Sequence, residues 1–472
     1  MASSGGGGGA SPSLRGQWGT RLGFILAASG SAVGLGNIWG FPFMAGQSGG
    51  GLFVLFYLAC VAVIGLPVMI AEIMVGRRAQ RSPVGAYGRL SGDKAMWKLV
   101  GWMGVAAGVL ILSFYSVIAG WTLDYTVLSI RDAFAGRSPG DIEALFAERT
   151  GERPGGVIFL HALFMVMVIA IVAGGVEKGL ERAVRILMPL LFVLIVGLLI
   201  YGTTLEGFGE GARFLFVPDL DEFDAGAALA ALGQSMFSLS LGMGAILTYG
   251  SYLRRKDDIV ATSTTISLLD TFIAVAAGMI LFPIVFTYDL GTAGGEGLIF
   301  EVLPAFFENM PAGQLVAIVF FALLFFAALT SALSLLEVVT ATVIDQLGWR
   351  RLTAAAAVGG GIFVLGLPSA HAELLPFWED LFGMGFQESL VFLIYNVFLP
   401  LGGLLISVFA GWVLTRSASY EEFTAGSRLA GLYPGWLILV RFIVPIGILL
   451  VFVTTWAEMF FPDLLSSEGA NE

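Results

Sequence analysis

Eleven apolar segments of helix length divide the sequence, at roughly 19–47, 50–76, 98–130, 155–175, 181–203, 227–252, 258–288, 312–347, 352–367, 387–414 and 435–461. About twenty apolar residues suffice to cross a bilayer as a helix, and a helix satisfies its own N–H and C=O groups where no water can. The pattern therefore predicts an all-α, polytopic membrane protein. Composition agrees: 57% of residues are hydrophobic and 12% charged, which excludes an ordinary soluble domain. One cysteine, Cys60, precludes an intramolecular disulfide or a thiolate metal cluster, and His161 and His371 leave little for histidine chemistry. The net charge of −11 reflects acids gathered in loops on one side.

Eleven crossings put the termini on opposite sides, and Lys/Arg counts decide which is which. Eighteen lie in the connections that share a side with the N-terminus, including Arg77, Arg78, Arg254 and Arg351; five lie opposite, among them Arg131 and Arg213. The positive-inside rule then places the N-terminus in the cytoplasm and the C-terminus outside. The glycine- and serine-rich start reads as a disordered tail over residues 1–14, and 462–472 as a second tail. The first apolar segment carries the glycine motif described next, so no cleavable signal peptide is expected.

Span 1 contains Ser29-Gly30-Ser31-Ala32-Val33-Gly34-Leu35-Gly36-Asn37, and span 6 contains Phe237-Ser238-Leu239-Ser240-Leu241-Gly242-Met243-Gly244. Each glycine costs about 1 kcal/mol against alanine inside a helix. One such stretch alone reads rather as a site of close helix packing. Two of them, five spans apart, predict paired broken helices in repeats of opposite orientation, with a cargo site between them. The repeats would cover about 15–205 and 225–414, a core of 15–414, with a connection and eleventh helix over 415–461.

The residues around these breaks resemble the neurotransmitter:sodium symporter family, with its LeuT-type fold. The resemblance rests on Trp18-Gly19-Thr20-Arg21-Leu22-Gly23, on Ala32 to Asn37, on Phe41-Pro42, Gly65-Leu66-Pro67 and Trp121-Thr122-Leu123, and on Gly233-Gln234, Ser238 to Gly242 and Leu329-Thr330-Ser331. These matches run in order over nearly the whole chain, in the manner of the bacterial members that stop after eleven spans.

The resemblance implies two sodium sites. Neutral carbonyl and hydroxyl oxygens suit a hard cation, and unwound backbone exposes them. One site would use Ala32, Asn37, Ser238 and Asp270; the other Gly30, Val33, Ala327, Thr330 and Ser331. For an isolated Thr330-Ser331 pair, back-bonding to the preceding turn is the competing reading. Chloride-dependent members carry an asparagine where Asp270 falls and a hydroxyl at Ala274, so no chloride requirement is expected here. The implied substrate pocket comprises Ser31, Ala32, Gly34, Leu35, Gly36, Ile111, Tyr115, Phe237, Ser238, Ser240, Met243, Ser331 and Leu335. Gly34 stands where monoamine carriers have an aspartate, leaving room for a substrate carboxylate.

The implied inner gate is Arg15, Trp18, Tyr252 and Asp345. The outer gate departs from the family: Gly40 and Val391 occupy the positions of its usual ion pair, and closure is expected from aromatic packing, with Tyr115 and Phe237 as candidates. Glu72 is expected in a buried polar network, Glu337 leaves proton coupling open, and His161 is expected to face a polar neighbour. The expected function is sodium-coupled symport, in the plasma membrane, of a hydrophobic or aromatic amino acid or related carboxylate, without enzymatic activity. A non-transporting sensor and a proton-coupled carrier are the rivals. The expected partners are the bilayer and a small-molecule substrate, without nucleic acid; the oligomeric state is left open.

Overall fold

Nine continuous helices in the described residues are long and apolar enough to cross a bilayer: Gly51–Ala79, Ala95–Ile130, Pro154–Ala173, Lys178–Gly202, Ile259–Thr287, Gly313–Leu347, Arg351–Ala370, Phe386–Val413 and Ala430–Val453. They are spans 2–5 and 7–11. The computed structural model describes residues 18–218, 225–287 and 298–460. Arg15 and the two expected tails lie outside that set.

The two remaining segments are broken. Span 1 consists of Arg21–Ala32, here 1a, and Gly36–Gln47, here 1b, inclined by 48°. Val33 between them is extended (φ −74°, ψ 101°). Span 6 consists of Ala225–Ser238 (6a) and Ala245–Gly250 (6b). Its connection uses left-handed backbone at Gly242 (φ +78°) and Gly244 (φ +74°), which glycine adopts without a Cβ penalty. The molecule is thus all-α, with the LeuT-type arrangement of two inverted five-helix repeats and an eleventh helix.

Spans 3 and 8, with 36 and 35 residues, are the longest helices and pack along one another. At 1.5 Å per residue each is about 50 Å long, well beyond a hydrocarbon core of about 30 Å. Segment 1a packs against spans 5, 7 and 8, 6a against spans 2 and 11, and 6b against spans 2 and 8, so both breaks sit inside the bundle. The eleventh span begins earlier than the expected residue 435. Pro434 lies in the first turn of Tyr433–Ile438, where its fixed φ starts a helix before the hydropathy rises.

The free amides of the span 6 break have a fixed partner. Glu72 of span 2, fully buried, accepts from Gly242 N at 2.8 Å and Leu247 N at 3.1 Å. Its place in the polar network is therefore to cap unwound backbone. His161 departs from expectation: it is fully buried, neither ring nitrogen has a hydrogen-bond partner among the described residues, and the ring lies 4.7 Å from Phe363. Span 9 meets it at Gly366, where a Cβ would stand 2.7 Å from the imidazole. Shape, not polarity, is what this histidine contributes.

Candidate substrate and cation sites

The break in span 1 presents carbonyl oxygens, and span 8 meets them with hydroxyls. Ser331 Oγ lies 2.9 Å from the Ser31 carbonyl oxygen and 3.4 Å from those of Gly30 and Val33. Thr330 Oγ1 donates into its own helix, 3.0 Å from the Ala327 oxygen and 3.2 Å from that of Phe326. That back-bond uses the hydroxyl proton and leaves the lone pairs for a cation, so the two readings of Thr330 are compatible. A hard cation with octahedral oxygens at about 2.4 Å sets neighbouring oxygens about 3.4 Å apart. Ser331 Oγ stands at that spacing from the Gly30 and Val33 oxygens, and Thr330 Oγ1 stands 3.0 Å from that of Ala327.

The second cluster is built on a buried charge. Asp270 of span 7 is fully buried. Its Oδ1 accepts from Asn37 Nδ2 at 2.7 Å, and its Oδ2 from Ser238 Oγ at 2.7 Å and Tyr57 OH at 3.4 Å. Asn37 Nδ2 also reaches Ser238 Oγ at 2.8 Å, while its Oδ1 accepts from Gly34 N at 3.1 Å. Three neutral side chains therefore hold the carboxylate. Hydrogen bonds alone compensate a buried charge incompletely, and a cation beside Asp270 would supply the remainder. Ala32 is the last residue of helix 1a and is buried.

Between the clusters lies a cavity of about 20 Å³ lined by Ser31, Ala32, Gly34, Gly36, Ile111, Tyr115, Phe237, Ser240, Met243, Ser331, Ser334 and Leu335. Of the residues expected there, Leu35 and Ser238 are absent from the wall: Leu35 faces the space above, and Ser238 belongs to the Asp270 cluster. Ser334 was not expected, although it stands three residues beyond Ser331 and shares its helix face; its Oγ is 2.7 Å from Ser31 Oγ. The cavity is contracted, since ligand pockets usually enclose about 300–1,000 Å³. At its floor a Cβ on Gly34 would stand 2.4 Å from Ser331 Oγ and 2.8 Å from Tyr115 OH, so only glycine fits. Tyr115 OH in turn accepts from Leu35 N at 3.1 Å.

Above Phe237 opens a vestibule of about 380 Å³ lined by Trp39, Gly40, Phe43, Phe114, Glu388, Val391, Tyr395 and others. Phe237 covers Gly36 and stacks on Tyr395 of span 10, ring centroids 4.7 Å apart and planes 26° from parallel. Aromatic packing thus sits where the ion pair is missing, but the partner of Phe237 is Tyr395. Sequence reasoning missed this residue, since nothing local marks it. Beside Gly40, the buried Gln234 donates to the Gly36 carbonyl at 2.6 Å and leaves its Oε1 without a partner among the described residues.

On the side of the N-terminus the path is packed shut. Trp18 is buried, donates to the Tyr249 carbonyl at 3.1 Å, and meets Phe24, Tyr249 and Tyr252 edge-on. Tyr252 OH donates to Glu337 at 2.6 Å, and Glu337 is ion-paired with Arg351, whose Nε donates to the Val172 carbonyl. Asp345 accepts from Ser82 N at 2.7 Å. Trp18 and Tyr252 therefore meet directly, and Asp345 holds the Ser82 amide. Glu337, which had no role in the sequence, ties Tyr252 to spans 8 and 9.

Known proteins share this architecture. The sequence profile of the Sodium:neurotransmitter symporter family matches residues 15–139 and 143–373. The uncharacterized sodium-dependent transporter YhdH of Bacillus subtilis (strain 168) is 38% identical over 438 residues, which span 93% of this chain and 97% of YhdH. An uncharacterized sodium-dependent transporter of Haemophilus influenzae is 33% identical over 451 residues, covering 93% and 98% of the two chains. Among solved structures, MhsT in complex with L-phenylalanine aligns with a TM-score of 0.87 at 45% identity, over 93% of this chain and 99% of that one.

Proposed function

This chain belongs to the sodium:neurotransmitter symporter family of membrane transporters, which are not enzymes, and on that premise we propose that it carries a hydrophobic or aromatic amino acid, or a related carboxylate, inward by chloride-independent symport with two sodium ions. The observation that carries this reading is the floor of the central cavity. Gly34 adds no side chain where Ser331 and Tyr115 crowd the backbone, and the buried Asp270 stands nearby with neutral partners. Once the cavity expands, a substrate carboxylate would be in reach of the Leu35 amide, the Tyr115 hydroxyl and a cation on the Asn37–Asp270 side. Ile111, Phe237, Met243 and Leu335 form the apolar remainder, and methionine adapts to side chains of different shape. The L-phenylalanine bound to MhsT is a ligand of that class.

In the proposed cycle, sodium binds first and offsets the charge of Asp270. Substrate then enters through the vestibule and expands the contracted cavity. Phe237 and Tyr395 close over it without an ion pair. Release requires Trp18 to leave its cage and span 1a to move. The excess of Lys and Arg on the N-terminal side supports a cytoplasmic N-terminus in a plasma-membrane protein. Glu337 is paired with Arg351, and this weighs against its use as a proton carrier.

Uptake of radiolabelled L-phenylalanine into proteoliposomes tests the reading. An inward sodium gradient should drive accumulation equally in chloride and in gluconate. Accumulation driven by a pH gradient without sodium, or loss of uptake in gluconate, would overturn it; sodium-dependent binding without flux would identify a sensor.

A further inference from the structure

The segment Trp18–Thr20, which leads into span 1, is gripped along both edges. On one edge, Arg254 donates to the carbonyls of Trp18 at 3.3 Å and Gly19 at 3.0 Å. On the other stands Glu181, at the start of span 5 and only 2% exposed. Its Oε2 accepts from Gly19 N at 2.7 Å, and its Oε1 accepts from Thr20 Oγ1 at 3.1 Å and from Arg185 at 2.6 Å. Span 1 lies so close that a Cβ on Gly23 would stand 2.3 Å from this carboxylate. No step in the proposed cycle has used this acid.

Its position along span 5 gives it a consequence for the cation site. Glu181, Val184 and Met188 follow helical spacing and are all buried. Met188 Sδ lies 3.1 Å from where a Gly30 Cβ would be. Seven residues at 1.5 Å separate Glu181 from Met188, about 10 Å. The same interface between spans 1 and 5 thus holds the Glu181 contacts at one end and Gly30, whose carbonyl faces Ser331, at the other. Segment 1a has only 12 residues, so it moves as one lever.

We propose that Glu181 is a positioning residue for transport: a latch that holds span 1a against span 5 and must let go of Gly19 and Thr20 each time the inner path opens. The inference rests on the alternating-access reading above. Loss of the latch favours the inward-open state and, by linkage, weakens apparent sodium affinity in proportion to the fall in the sodium-competent fraction.

The test uses the full chain in proteoliposomes, with Cys60→Ser to remove the native thiol and Val184→Cys as reporter. A hydrophilic maleimide is applied from the inner side without substrate. Glu181→Ala should raise the labelling rate about tenfold or more, the scale of losing a charge-assisted hydrogen bond, and sodium should restore protection at a higher half-maximal concentration. Glu181→Gln keeps an acceptor for Gly19 N–H without the charge and should show a smaller rise; it carries the test if Glu181→Ala does not fold. Labelling equal to the parent in both variants, or a rise that sodium does not reverse, would overturn the latch. Sodium-reversible labelling in a parent that shows no flux would leave the latch standing and sink the transport reading instead.

Discussion

Replacing Asp270 with asparagine changes one charge and almost no volume. Asn37 and Ser238 can still hydrogen-bond the new amide, so the fold should persist. What is lost is the attraction between the carboxylate and a sodium ion held by Asn37 and Ser238, each 2.7 Å from a carboxylate oxygen. An ion bound by those two groups lies about 5 Å from the charge centre, where Coulomb's law with an effective dielectric of about 20 gives roughly 3 kcal/mol. At 1.4 kcal/mol per decade that is about a 150-fold loss of sodium affinity. Titrating sodium against the melting temperature at saturating L-phenylalanine reads this directly, because a ligand stabilises by RT ln(1 + [L]/Kd). The half-maximal sodium concentration should rise by about two decades, and the parent should respond identically in chloride and gluconate. Adding chloride should not rescue Asp270→Asn alone, since Ala274 carries no hydroxyl. An unchanged sodium midpoint would refute the assignment of Asp270 as the charge that balances the ion.

Gly34→Ala places a methyl 2.4 Å from Ser331 Oγ and should cost about 1–3 kcal/mol in overpacking; sodium-dependent binding should weaken tenfold or more, and unaltered binding would mean the floor is not the site. Tyr395→Ala removes a stacked ring worth about 1 kcal/mol, so bound substrate should escape outward severalfold faster in a dissociation assay. Gly40→Arg with Val391→Asp restores an ion pair beside the unpartnered Gln234 Oε1; a slower outward off-rate is expected, and no change in affinity or rate would show that the missing pair has no role. Glu337→Gln leaves Arg351, a quarter exposed, without its carboxylate; with solvent screening the cost is about 1–3 kcal/mol, visible as a lower melting temperature together with greater inner-side accessibility.

The fold was legible because its determinants are local. Segment length and apolarity set the helices, and two glycine-rich stretches set the breaks. Most of the expected pocket residues do line one cavity, because the motif places them on facing elements. Ser334 could have been found from its three-residue spacing to Ser331. Leu35 and Ser238 lie outside the wall of that cavity, since which way a residue faces beside an unwound turn follows no helical period. His161 was misread for a different reason: a buried histidine usually finds a hydrogen bond, yet here the shape of the groove at Gly366 governs it.

By itself the sequence determined that this chain crosses a bilayer in helices and that helices 1 and 6 break. Each follows from composition or short-range spacing. Only the tertiary structure decided which groups meet. Asn37 joins Asp270 across 233 residues, Tyr252 joins Glu337 across 85, Glu181 holds Gly19 across 162, and Phe237 finds Tyr395 from another span. Inside the bundle a polar side chain must find its partner on whichever helix packs against it, and that neighbour is set by the packing of all the spans together.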